Sequence, residues 1–196
     1  MKRIIIAIVA LLALGWASYA LTRGDGPLSA EPSSVGQTGG EAESYSSGRF
    51  GLSFEYPKGY YLEEREVSAA ERLHYQIVLT EDTEWNRRLR SGEVPPTEGP
   101  TSITIDVFQN DLDQDTARGF ITGSNNSNYK LGDGVVATTT RGSLEGLEYS
   151  WSGLYEGRSF VVASPRYIYM FSVTRLDPSD RILKDFNEVM ETVSIE

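Results

Sequence analysis

The sequence predicts an α+β domain in which helices pack on an antiparallel sheet of about six strands. Three observations lead to this prediction: apolar residues alternate in several short segments, glycine and proline separate those segments, and apolar residues recur at helical spacing near the C-terminus. The domain is predicted over residues 49–196, after a membrane anchor or signal segment at 1–23 and a disordered linker at 24–48.

The N-terminal segment has the composition of a membrane-inserting helix. Lys2 and Arg3 precede an uncharged and mostly apolar run at residues 4–21. Because the basic residues lie before this run, the rest of the chain is expected on the outer face of the membrane. The length of the run favours a retained single-pass anchor, while small residues near its end leave open cleavage after Ala20 and secretion.

Charge and cysteine content narrow the possible partners and sites. The net charge is −10, and the first 23 residues hold three of the 18 basic and none of the 28 acidic residues, which leaves −13 on the remainder. This balance argues against nucleic acid and anionic lipid as partners. The absence of cysteine excludes disulfides, thiolate metal sites and a lipidated cysteine.

The sequence pattern in the first half of the domain predicts three strands. In the segment "FGLSFEYPKGYY", large apolar residues alternate with small or polar ones from Phe50 to Tyr56, and the segment then turns at Pro57. A second strand is predicted at Tyr75–Thr80, and a third, central one within "TSITIDVFQN". Between the second and third strands, the charged and proline-containing stretch "NRRLRSGEVPPTEGP" predicts a long exposed loop.

The second half predicts a short helix, a run of hairpins and a closing helix. The segment "DLDQDTARGFITG" should form a helix capped by its aspartates, and the β-rich region that follows ends in a strand, Tyr167–Val173, covered on both faces. The closing helix is expected to take Asp177 as N-cap and Pro178 as first residue. Its apolar face comprises Ile182, Phe186, Val189 and Val193.

The order of these segments resembles the PsbP-like family, which is named for an extrinsic subunit of photosystem II and occurs in bacteria as exported domains. The resemblance rests on "FGLSFEYPKGY", the central strand and helix, the β-rich region and "DFNEVMETVSI", and it extends from about Ser44 to Glu196. It implies an α/β/α sandwich without enzymatic activity. The chain departs from the family in lacking a lipidated cysteine and in having Thr192-Val193 where relatives tend to have Ser-Phe. No cofactor or docking motif of the photosystem subunit can be transferred.

Candidate chemical residues are few. His74 is the only histidine, so any Ser-His-Asp or histidine metal scheme would require it, and the sequence has no Gly-x-Ser-x-Gly motif. A histidine at the surface or edge of a strand is the simpler interpretation. Asp111, Asp113 and Asp115 could converge on Ca²⁺, although the EF-hand pattern fails and helix capping explains them equally well.

The leading interpretation is a membrane-tethered, extracytoplasmic and non-enzymatic domain that binds or scaffolds another envelope protein. The alternative is a secreted ligand-binding or calcium-binding module, which would use the aspartates or an aromatic face, and the third is a cell-wall hydrolase. The candidate aromatic face comprises Tyr60, Tyr61, Trp85, Trp151 and Tyr155. No residue is assigned as catalytic, cofactor-binding or metal-binding, and the sequence leaves the oligomeric state open.

Overall fold

The computed structural model describes residues 36–37, 42–68, 72–95 and 98–196. The predicted membrane anchor at 4–21 and the cleavage position after Ala20 lie outside these residues. Within the described ranges, none of the helices has the length and apolar character that crossing a membrane requires.

Most of the described chain forms two antiparallel sheets. The strands are β1 (Gly36–Gln37), β2 (Ala42–Ser47), β3 (Leu52–Pro57), β4 (Tyr60–Glu66), β5 (His74–Glu81), β6 (Ile103–Gln109), β7 (Ala137–Arg141), β8 (Leu144–Ser152), β9 (Glu156–Ala163), β10 (Tyr167–Arg175) and β11 (Ser194–Ile195). A seven-stranded sheet has the order β4-β5-β6-β10-β9-β8-β7, and a four-stranded sheet has the order β1-β2-β3-β11. The α+β class is confirmed, with a main sheet one strand larger than expected and a second small sheet.

The predicted central strand is confirmed by its neighbours. Strand β6 pairs with β5 on one side and with β10 on the other, so both of its edges are hydrogen-bonded within the main sheet. Strand β10 is buried over most of its length, as expected for a strand that alternates apolar residues on both faces. These two strands bring the middle of the chain against its C-terminal part.

One face of the main sheet packs against the small sheet and the C-terminal helix, α3 (Arg181–Thr192). The apolar face of α3 includes Ile182, Phe186 and Val189, all buried as the spacing predicts. Alternation in β3 similarly buries Leu52, Phe54 and Tyr56. This face therefore holds the larger core cluster, which also contains Ile77, Leu79, Ile103, Ile105, Val107, Phe160, Tyr169 and Phe171.

The opposite face carries a smaller core beneath helix α2 (Ala117–Gly123). Phe120 and Ile121 of this helix are buried in a cluster with Phe108, Tyr149, Val161, Ile168 and Met170. The main sheet is thus covered on both sides, which agrees with the sandwich that the family resemblance implies.

A helix that the sequence did not predict follows β5 and overlaps the start of the expected loop. Helix α1 (Glu84–Ser91) begins at Thr83, whose side chain accepts a hydrogen bond from Asn86 N, and ends at Gly92 in the left-handed conformation, with φ of 76°. The Asn86 side chain donates to Glu81 O at 2.8 Å. Capping and this buried amide fix α1, whereas its sequence lacks the apolar periodicity that reveals a helix.

The last two helices begin at residues other than the N-caps that the sequence predicted. Thr116, not an aspartate, caps α2, because its Oγ1 accepts the Gly119 N–H at 3.0 Å. The last helix starts at Arg181 after Asp180, whose Oδ2 accepts the backbone N–H groups of Leu176 and Asp177. Asp180 therefore closes the turn that contains Pro178, and the helix begins later than the proline predicted.

The structure also differs from the expected linker at its C-terminal end. Strand β2 lies inside residues 24–48 but pairs with β3 over its whole length. Tyr45 accounts for this pairing, because its ring is buried and stacks on Phe54 with centroids 4.9 Å apart. The Tyr45 ring is the one large apolar group of this six-residue strand, whose other residues are alanine, glutamate and serine.

Candidate functional site

A cleft of about 630 Å³ opens where β5 begins, β6 ends and α2 crosses the main sheet. Its lining combines the apolar rings of Phe108 and Phe120 with the polar side chains of His74, Asp113 and Asp115. Apolar walls with a few convergent polar groups are the usual lining of a ligand cleft, which makes this the candidate site in the part of the chain that the structure describes.

The pairing of β5 with β6 places the single histidine against a buried carboxylate. In the strand register, Gln76 lies opposite Asp106 and His74 opposite Phe108. His74 Nε2 is 2.6 Å from Asp106 Oδ1, and Gln76 Nε2 donates to the same oxygen at 2.7 Å. The imidazole also stacks on Phe108, with centroids 4.2 Å apart. Two neighbours thus fix the orientation of the ring, which lies at the first residue of β5 and is partly exposed.

An imidazole held by a carboxylate is part of a hydrolytic triad, but a triad also needs a nucleophile. The nearest described hydroxyl partner, Ser68 Oγ, accepts the backbone N–H of His74 at 2.9 Å. Among the described residues, no serine or threonine hydroxyl hydrogen-bonds to the ring. His74 can therefore position a polar ligand. Within the described residues, no hydroxyl group is placed to act as a nucleophile beside the ring.

The three aspartates of the candidate cation loop have different partners in the structure. Asp111 accepts a hydrogen bond from Gln109 Nε2 at 2.9 Å, and Asp113 forms an ion pair with Arg72. Asp115 contributes its backbone, because its N–H donates to Asn110 Oδ1 at 2.8 Å. Across the described ranges, no three histidine, aspartate or glutamate side chains are arranged to hold a metal ion.

The five candidate aromatics do not form one exposed face. Tyr60 is buried, and Trp151 packs over Gly157 and donates its indole N–H to Ser159 Oγ at 3.0 Å. Tyr61 and Trp85 are 42% and 52% exposed, respectively. The buried members are structural, and an aromatic platform of all five is not present.

A second polar grouping lies on the opposite face of the main sheet, beside α3. Arg158 Nη2 donates to Asn187 Oδ1 at 2.9 Å, and Arg141 Nη1 approaches the same oxygen at 3.3 Å. Arg141 also forms an ion pair with Glu148 at 2.5 Å. These four residues come from β7, β8, β9 and α3, so no spacing in the sequence could have revealed the group. We call its two cations, Arg141 and Arg158, the arginine pair.

Burial lowers the pKa of the Arg158 guanidinium. Arg141 and Arg175 lower this pKa further, whereas Glu148 raises it. The guanidinium lies over the ring of Phe186, with 5.4 Å from Cζ to the centroid, and its Nε is buried without a hydrogen-bond partner. Arg158 is thus a partly desolvated cation whose side chain bonds to a neutral amide.

A third grouping stabilises the fold beneath α3. Tyr60 Oη donates to the buried Asp185 Oδ2 at 2.8 Å, and Arg181 Nε lies 3.3 Å from the same oxygen. Burial, followed by the neighbouring Asp185 carboxylate, raises the pKa of Tyr60 well above its usual range. This group anchors the start of α3 to strand β4.

The comparisons with known proteins identify the fold. The solution structure of cyanobacterial PsbP (CyanoP) from Synechocystis sp. PCC 6803 matches 87% of this chain and 100% of its own length, with a TM-score of 0.52 and 15% identity. This chain has a PsbP-like fold. The helices on both faces of its antiparallel sheet are those that the resemblance predicted.

Other comparisons are weaker. A crystal structure from Bacteroides thetaiotaomicron VPI-5482 matches 74% of this chain at 12% identity with a TM-score of 0.45, and this chain spans 45% of that protein. No protein-family model and no curated protein matches the sequence.

Proposed function

We propose that this protein is a non-enzymatic domain, tethered through residues 4–21 to the outer face of a bacterial cytoplasmic membrane, that binds another envelope protein. The observation that carries the proposal is the PsbP-like fold, which extends over the full length of the cyanobacterial protein. The family is named for an extrinsic subunit, a protein that attaches to a membrane assembly. Cleavage after Ala20 would instead release the same domain as a secreted protein.

Two properties of the chain support binding over catalysis. The His74 ring is oriented by Asp106, but no hydroxyl group of the described residues bonds to that ring, so an acyl-transfer reaction lacks its nucleophile there. The net charge of −13 after residue 23 disfavours nucleic acid and anionic lipid surfaces. A protein partner fits both properties.

The test uses the full chain with a C-terminal tag in membranes that are treated briefly with a mild crosslinker. Capture of one envelope protein together with full-length chain in the membrane fraction supports the tethered binding domain. A shortened product in the soluble fraction, without a crosslinked partner, contradicts it. Hydrolysis of cell-wall material that disappears in His74→Ala would also contradict it.

A second candidate function is the binding of a small polar ligand in the cleft, and the pairing of the partly exposed His74 with the buried Asp106 favours it. The test measures the melting temperature of the full chain with a metabolite extract, for the wild type and for His74→Ala. Lys130→Ala, which changes a side chain outside the cleft, is the control. Stabilisation that is lost only in His74→Ala supports this candidate, because a ligand that binds the native state alone must stabilise it.

A further inference from the structure

The arginine pair has an imbalance of charge that the described residues do not neutralise. Arg141 has a carboxylate partner, Glu148, but no carboxylate of the described ranges forms an ion pair with Arg158. Glu148 is close enough to attract Arg158 but is bonded to Arg141, so two partly desolvated cations share one carboxylate, whereas proteins usually pair each such cation. Arg158 instead shares one exposed amide oxygen, that of Asn187, with Arg141.

Asparagine, and not aspartate, occupies position 187 between the two arginines. Asparagine and aspartate have nearly the same shape, and an aspartate at position 187 would accept the same bonds while neutralising one of the two guanidinium groups. The chain keeps the neutral amide, so two cations converge on a solvent-facing position of α3. The surplus positive charge is therefore directed outward.

The geometry is fixed before any partner arrives. The Phe186 ring lies beside the Arg158 guanidinium, with 5.4 Å from Cζ to the ring centroid, and Glu148 holds Arg141 through both Nε and Nη2, at 3.0 and 2.5 Å. Planar guanidinium groups in fixed positions match the two oxygens of a carboxylate. Little side-chain entropy would be lost on binding, which favours recognition by this pair.

We propose that Arg141 and Arg158, held around Asn187, form a docking site for a carboxylate in an acidic segment of the partner protein. This inference rests on the proposed function, since the partner is the envelope protein described above. A protein carboxylate fits better than a lipid phosphate, because polybasic membrane binding uses clusters of about four to eight basic residues, whereas this site presents two arginines.

The test measures fluorescence anisotropy of a labelled hexaglutamate peptide with the full chain in detergent micelles. Asn187→Asp supplies the counter-charge internally and should weaken binding by about tenfold or more. The control is Asn125→Asp, which adds the same charge at an exposed amide whose Oδ1 accepts from Lys130 Nζ at 2.8 Å. This control should stay within about twofold of the wild type. Arg158→Gln, checked for folding by circular dichroism, should lose binding like Asn187→Asp.

Three results of the binding measurements would overturn the inference. They are equal binding by the two aspartate variants, no binding of hexaglutamate by the wild type at millimolar concentration, and Asn187-dependent binding to phosphatidylglycerol vesicles in place of the peptide. The membrane crosslinking experiment separates the two proposals. If Asn187→Asp captures the same envelope protein as efficiently as the wild type, the docking site is wrong and the proposed function stands. If the wild type captures no protein, the proposed function fails, and the peptide titration still decides whether the arginine pair binds carboxylates.

Discussion

Removal of one hydroxyl group, by Tyr60→Phe, should destabilise the fold because it leaves a buried carboxylate short of donors. Asp185 is 1% exposed, and its Oδ2 accepts from Tyr60 Oη at 2.8 Å and lies 3.3 Å from Arg181 Nε. The Arg181 side chain is 70% exposed, so its ion pair is screened by water and contributes little. Loss of the Tyr60 donor should therefore lower the free energy of unfolding by about 1–3 kcal/mol.

The assay is urea unfolding of the full chain in detergent near neutral pH, followed by tryptophan fluorescence. The adjacent tyrosine provides a matched control, because Tyr61→Phe removes the same hydroxyl from a side chain that is 42% exposed. This control should change the free energy of unfolding by less than about 0.5 kcal/mol. A double-mutant cycle with Asp185→Asn should show a coupling of about 1 kcal/mol between the two positions. Equal effects of Tyr60→Phe and Tyr61→Phe, or no coupling, would refute the reasoning.

Three further predictions concern the cleft, a close contact and alkaline pH. Asp106→Asn should cost about 1–3 kcal/mol in urea unfolding, because the imidazole of His74 loses its charged partner inside the fold. Gly157→Ala should lower the unfolding temperature, since a new Cβ would overlap the Trp151 ring, whereas Gly123→Ala, with no atom within 4 Å, should leave it unchanged or raise it. Several tyrosines have raised pKa values in the folded state, so the unfolded chain releases protons first and stability should fall as the pH rises above about 10. These residues are Tyr56, Tyr60, Tyr75, Tyr149, whose pKa is raised to about 12, and Tyr169. Unfolding in urea at pH 8 and pH 11 checks the last prediction, and equal stability at the two values would contradict it.

The sequence predicted the elements whose burial is periodic. Strand β10 and helix α3 show apolar residues at spacings of two and of three to four, and both were located to within a few residues. Helix α1 was missed because capping by Thr83 and the buried Asn86 stabilise it instead of an apolar stripe. Strand β2 was missed because a single aromatic ring, Tyr45, holds it in place.

The candidate sites could not be predicted from sequence because strand register and helix docking create them. His74 and Asp106 are 32 residues apart, and they meet only because β5 pairs with β6 in a register that puts Gln76 opposite Asp106. A shift of one residue would turn His74 to the other face of the sheet. The aspartate loop shows the opposite error. Its regular spacing suggests a cation site, but the loop is held by hydrogen bonds between the Asn110 side chain and the backbone of Asp115.

The positions of the two polar groupings follow from how this fold uses its strands. In the middle of β6, one face packs in the core, where Ile105 is fully buried. At the C-terminal end of the same strand, Phe108 lines the cleft. Likewise, β9 buries Phe160 at its centre and carries Arg158 two residues earlier, where its side chain bonds to Asn187 of α3. Substitutions at the strand centres therefore act first on stability, whereas those at Asn187 or His74 can alter binding while the core is kept. This separation is what allows an aspartate at position 187 to test a docking site without dismantling the domain that carries it.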